Sequence, residues 1–212
     1  MEYTVNTVRT VAPSGVILVI RSDNPEHAYI GALGAIRGGI DAVEITLTVP
    51  DALDVIRRLS SESVRLGAGT VLEPDQVDES VEAGATFLVS PEFNERVLVR
   101  AHELGIPMIP GALTPTEALH AHRRGADAVK LFPAGLAGGP AYLAELRGPL
   151  PQVPFVVSGG VNRVSAPQYL AGGAVAVCVG REILDEDAVA RGDLDSITEG
   201  VREFLAAVRG GC

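Results

Sequence analysis

The chain has 212 residues, 47% of them hydrophobic and 21% charged, with a formal net charge of -10 at pH 7; that apolar content can offset the entropy of ordering a backbone, which excludes a disordered chain and predicts a large core. The acidic balance, with no basic stripe interleaved with aromatics, excludes nucleic acid as an expected partner. No run of about 18 apolar residues is present to span a bilayer, and the opening MEYTVNTVRT lacks the cationic start and apolar stretch of a secretory leader, so the expectation is a cytoplasmic protein with no membrane partner.

Along the chain, short β-branched apolar runs recur about every twenty to twenty-seven residues, each followed by a stretch of helical periodicity. The runs are Gly15 to Arg21, Ala42 to Leu47, Val64 to Gly69, Thr86 to Ser90, Ile106 to Pro110, Ala128 to Phe132, Phe155 to Ser158 and Ala174 to Gly180. Between them, amphipathic segments such as Pro25 to Arg37, Asp51 to Leu59, Pro74 to Glu82, Glu95 to Leu104 and Pro115 to Arg123 open on proline or a capping residue. Glycines in RGGIDAVEI, ELGIPMIPG and RRGADAVKL close helices ahead of the next strand. Strands that are apolar throughout and alternate with helices predict a parallel sheet covered on both faces. Eight such units predict a (βα)₈ barrel, one domain over residues 1–212, with a short helix before Gly15 closing its bottom. An open doubly wound sheet is the alternative, weakened by the absence of G-x-G-x-x-G from the first strand-helix turn.

In barrels of this kind the reactive groups lie at the C-terminal ends of strands. The polar residues there are Arg21, Glu44 and Thr46, Thr70, Ser90, Lys130, Ser158 and Arg181. Lys130 is the chain's one lysine against sixteen arginines, and it stands inside the sixth run among Ala128, Val129, Leu131 and Phe132. A stem packed in the core with its amine snorkelling outward is the bland reading. A buried ammonium is costly unless paired or used, however, and burial favours the free amine that attacks carbonyls. Glu44, in AVEIT, is equally out of place unless it faces a polar cavity or a cation; it is read as the partner of Arg21 or Lys130, or as a proton carrier. Arg21 is suited to a substrate carboxylate through its bidentate fork. Gly159 and Gly160 after the seventh run, with Gly180 and Arg181 after the eighth, fit the usual phosphate position of a barrel, aided by a following helix N-terminus; tight turns alone would also explain these glycines.

No metal site is expected. His120 and His122 stand two apart on a helix and share no face, and His27 and His102 read as surface residues. Cys178, in an apolar run, and Cys212, the last residue, read as ordinary rather than as a disulfide or metal pair.

Six segments, VEITLTVPDA, LGAGTVL, FLVSPEFN, IPMIPGALTPTEAL, AVKLFPAG and FVVSGGVN, stand in the order found in the 2-keto-3-deoxy-6-phosphogluconate and 2-keto-4-hydroxyglutarate aldolases, and the chain resembles that family along nearly its whole length. The resemblance implies a class I, Schiff-base aldolase without a cofactor, usually a homotrimer, acting on a small 2-keto acid. It implies Lys130 as the Schiff-base lysine, Glu44 as general acid and base, Arg21 and Thr70 on the pyruvate carboxylate, Pro91, Phe132 and Ser158 shaping the pocket, and Gly159, Gly160, Gly180 and Arg181 around the phosphate. Three positions depart from the family pattern: Thr48 where some members carry arginine, Ser158 where threonine is commoner, and Arg181 where a small residue is frequent. An aldolase for the phosphogalactonate isomer, a non-covalent phosphate-binding isomerase using Glu44 as base, and a non-catalytic sugar-acid binder are the competing expectations.

Overall fold

A computed structural model describes residues 10–210; the helix expected before Gly15 lies mostly outside them, as does Cys212. The chain alternates β1 Val16–Ile20, α1 Pro25–Gly38, β2 Ala42–Thr46, α2 Ala52–Leu59, β3 Arg65–Gly69, α3 Pro74–Glu82, β4 Phe87–Val89, α4 Glu95–Glu103, β5 Met108–Ile109, β6 Gly111–Ala112, α5 Pro115–Arg123, β7 Val129–Leu131, α6 Pro140–Arg147, β8 Phe155–Val157, α7 Ser165–Ala171 and β9 Ala176–Val179. Two helices, α8 Glu186–Arg191 and α9 Leu194–Gly210, complete it.

Every strand pairing is parallel, in the order β5-β4-β3-β2-β1-β9-β8-β7-β6. The two ends of that order, β5 and β6, are successive pieces of one segment. The fifth strand, expected as a continuous Ile106 to Pro110, is instead interrupted at Pro110, which has no N–H to give to a ladder. Its first half pairs with β4 and its second with β7, and the Pro110 carbonyl itself accepts from Lys130 N–H at 2.8 Å. The segment thus bridges the sheet's edges, and the barrel expected from eight strand-helix units results, rather than an open doubly wound sheet.

Strand alternation divides the core into two layers. Val16, Leu18 and Ile20 of β1, Val43 and Ile45 of β2, and Val129 and Leu131 of β7 face the helices. Ile17, Phe87, Val89, Ile109, Ala128, Val156, Ala176 and Cys178 fill the barrel, with Val11 and Ala12 in the same cluster. Helix starts follow their caps: Asn24 Oδ1 accepts from Glu26 and His27 N–H ahead of Pro25, and Thr114 with Glu117 forms a reciprocal capping box ahead of Pro115. Helix α1 meets α9 along a glycine-alanine stripe, where Thr198 Oγ1 donates to the Gly34 carbonyl at 3.0 Å.

Candidate active site

Alternation within β2 turns Glu44 inward between outward Val43 and Ile45, and in β7 it turns Lys130 inward between Val129 and Leu131. The two side chains meet inside the barrel, Lys130 Nζ lying 3.7 Å from Glu44 Oε1, with side-chain exposures of 8% and 1%. Of the two partners considered for Glu44, Lys130 is the one in reach. Neither carboxylate oxygen has a hydrogen-bond partner among the described residues. An unpartnered carboxylate this deep is held by the amine's charge and by the shape of its pocket.

In register, Lys130 stands between Gly111 of β6 and Val156 of β8, and Glu44 between Val19 of β1 and Gly67 of β3. A Cβ on Gly111 would run into the Pro91 carbonyl, which brings the loop after β4 over Lys130's strand neighbour. The Lys130 ammonium position is 5.5 Å from the Phe132 ring centroid, and that ring packs against Gly159, where a Cβ would come within 3.2 Å of Phe132 Cδ2. Phe132 thus lies beside Lys130, and the Pro91 carbonyl lies against Gly111, the strand neighbour of Lys130. Ser158 is buried at the end of β8. Thr70, directly after β3, adopts φ 61°, a left-handed conformation uncommon outside glycine and one that stores strain.

Thr46 and Thr48, named separately from the sequence, are joined in a short relay. Thr46 Oγ1 donates to the Ile20 carbonyl at 3.0 Å, and having spent its only proton it must accept from Thr48 Oγ1 at 2.9 Å. This fixes the backbone at the foot of Arg21. Arg21 and Arg181 line one cavity of about 400 Å³ together with Ser22, His27, Leu184 and Glu186; Lys130, Glu44, Gly159 and Gly160 are not among its lining residues. Arg181 is 75% exposed and 4.0 Å from Glu186 Oε1.

Gly159 and Gly160 take φ 88° and 77°, so glycine is required by the backbone there, and neither N–H donates to a carbonyl among the described residues. The expected contribution of the following helix is smaller than the sequence suggested. Asn162 Oδ1 already accepts from Val164 and Ser165 N–H at the start of α7. Gly180 closes β9 against β1, where a Cβ would stand 3.3 Å from the Val19 carbonyl.

Cys178, read as an ordinary core residue, lies in the barrel cluster, and its thiol is pushed up to about 12 by burial first and by the Glu44 carboxylate second, so it stays protonated. Of the histidines, His102 pairs with Asp127 at 3.4 Å, His120 stacks edge-on against Phe93, and His122 is partly buried, its imidazole held below the usual range by burial. No three His, Cys, Asp or Glu side chains among the described residues are grouped to hold a metal ion.

A parallel barrel that buries an amine beside a carboxylate brings a nucleophile and a proton-carrying group together. The profile of the family "KDPG and KHG aldolase" matches residues 8–200, and the chain belongs to that family. It is 36% identical over 205 residues to the KHG/KDPG aldolase of Escherichia coli K12, covering 96% of this chain and 95% of that one. It is 33% identical over 172 residues to the 2-dehydro-3-deoxy-6-phosphogalactonate aldolase of the same strain, covering 79% and 83%. Among solved structures, the KDPG aldolase of Legionella pneumophila, with pyruvate captured at low pH as a covalent carbinolamine intermediate, superposes with a TM-score of 0.84 at 32% identity, covering 96% of this chain and 98% of that one. The chain is thus an aldolase, a carbon-carbon lyase.

Proposed function

We propose that the protein cleaves 2-keto-3-deoxy-6-phosphogluconate to pyruvate and glyceraldehyde 3-phosphate, and 4-hydroxy-2-oxoglutarate to pyruvate and glyoxylate, through a Schiff base on Lys130. The observation that carries this reading is the buried Lys130–Glu44 pair at 3.7 Å. The Lys130 amine attacks the C2 carbonyl, and the carbinolamine loses water with Glu44 moving the protons, leaving an iminium. The C3–C4 bond then breaks, its electron pair entering the iminium to form an enamine while Glu44, directly or through water, takes the C4 hydroxyl proton and the aldehyde departs. Protonation of the enamine at C3 and hydrolysis release pyruvate and restore the amine. Converting an unstable carbanion into an enamine is what covalent catalysis contributes here.

Arg21 and Thr70 hold the pyruvate carboxylate, Pro91, Phe132 and Ser158 shape the pocket, and Gly159, Gly160, Gly180 and Arg181 take the phosphate. The free N–H groups of the glycine pair support that last assignment. In this reading the whole of residues 1–212 acts as one domain, in a cytoplasmic homotrimer; no helix among the described residues is long and apolar enough to cross a membrane. Pyruvate release from the phosphogluconate, phosphogalactonate and 4-hydroxy-2-oxoglutarate substrates, by wild type and Lys130→Ala, tests the proposal. The phosphogluconate form should be cleaved fastest and the variant should be inactive on all three. Equal rates for the two proteins would remove Lys130 from the chemistry, and preference for the galactonate form would reassign the substrate.

A further inference from the structure

We infer that Gly69 is a positioning residue for the reaction, forming the seat that fixes the Glu44 carboxylate; the inference rests on the proposed role of Glu44. Gly69 ends β3, and its backbone is ordinary strand rather than a positive-φ turn, so conformational freedom does not explain the glycine. Space does. A Cβ built there would overlap Glu44 Oε1 and lie 2.6 Å from its Cδ and 2.7 Å from its Cγ.

The strand cannot withdraw to admit a methyl. Gly69 is registered with Thr46 on one side and Val89 on the other, and its carbonyl accepts from Leu47 N–H at 2.8 Å. The carboxylate, by contrast, is the mobile end of a side chain with no hydrogen bond to retain it. Shape and the Lys130 charge therefore set its place, and a methyl at Gly69 displaces the carboxylate rather than the sheet. Gly67, two residues earlier on the same face of β3, supplies an internal comparison. A Cβ there would overlap the Phe87 ring, lying 2.7 Å from Cε1, and that ring is fully buried in the barrel. The two glycines make room for different things, one for a packing ring and one for a proton carrier.

Solvent deuterium exchange into the methyl group of pyruvate reads proton transfer at the enamine directly, without the aldehyde half of the substrate. Each rate is normalised to the fraction of protein trapped at Lys130 by pyruvate and borohydride. Gly69→Ala should remain trappable but lose about tenfold or more of its exchange, since a positioned acid or base contributes roughly 10²–10⁴-fold. Gly67→Ala should show the larger fall in Tm with exchange per trapped lysine unchanged. In a Glu44→Ala background the three atoms nearest the new methyl are gone, so Glu44→Ala/Gly69→Ala should fold and match Glu44→Ala alone. Wild-type exchange in Gly69→Ala, an equal loss of exchange in Gly67→Ala, or a double variant as unfolded as Gly69→Ala by itself would each overturn the inference. Absence of trapping in the wild type would instead defeat the Schiff-base reading on which it stands.

Discussion

A carboxylate with both oxygens unpartnered inside a barrel is an expensive residue, and the nearby amine is what makes it tenable. In the proposed mechanism Glu44 carries protons between several steps, so Glu44→Gln should lower the rate of pyruvate release by about 10²–10⁴-fold while leaving Lys130 trappable; a rate near that of wild type would assign the protons to another group. Arg181 is exposed and weakly paired, and its loss should be felt only by the phosphate. Arg181→Ala should raise KM for the phosphorylated substrates and leave 4-hydroxy-2-oxoglutarate unaffected, which steady-state kinetics on both would check. At this scale Lys130 and Glu44 were legible because a charge inside an apolar run needs a reason. Gly69 was not. A strand glycine announces a close approach but does not name what approaches. The Thr46–Thr48 relay was hidden for a related reason, since a threonine ending a strand and another in the turn after it are unexceptional until one hydroxyl is placed against Ile20 and the other against the first.

Among the elements, α1 shows two local rules in opposition. Replacing Gly34 by alanine should gain about 1 kcal/mol of helix propensity. The same methyl would stand 2.6 Å from Ile197 Cγ2 of α9, and overpacking of that kind costs about 1–3 kcal/mol. The packing loss should win, giving Gly34→Ala a lower Tm by thermal unfolding; a rise would mean that α9 shifts freely. Helix α5 supplies a pH-dependent contribution. Glu117 accepts from Leu113 and Thr114 N–H, each at 2.9 Å, and those bonds hold its carboxyl below the ordinary value of 4.5. A carboxyl depressed on folding stabilises the protein above its unfolded value, and the contribution is lost as pH falls through the lower folded value. The Tm difference between wild type and Glu117→Gln should thus be full near neutrality and close as the pH drops below 4.5. Caps of this sort were legible: helices α3 and α5 have the bounds expected from Pro74 and Pro115. The fifth strand was misjudged because Ile106 to Pro110 reads as apolar and continuous, whereas Pro110 cannot donate and the ladder moves to the other neighbour past it.

For the molecule as a whole, periodicity supplied eight strand-helix units but not their closure, which depends on one broken strand pairing with β4 and β7 at once. The meeting of Lys130 with Glu44 is a consequence of that closure, since β7 and β2 are not neighbours in the sheet. Assembly belongs to the same scale: sedimentation equilibrium should find three chains per particle, and a monomer at catalytic concentrations would refute the proposed trimer. The central claim has a more direct test, which the composition makes unusually clean. With one lysine in the chain, the N-terminal amine is the sole competing primary amine. Treatment with pyruvate and borohydride, followed by intact mass and peptide mapping, should yield a single irreversible adduct on Lys130 together with loss of cleavage activity. An unmodified Lys130 in protein that remains active would contradict the Schiff-base mechanism.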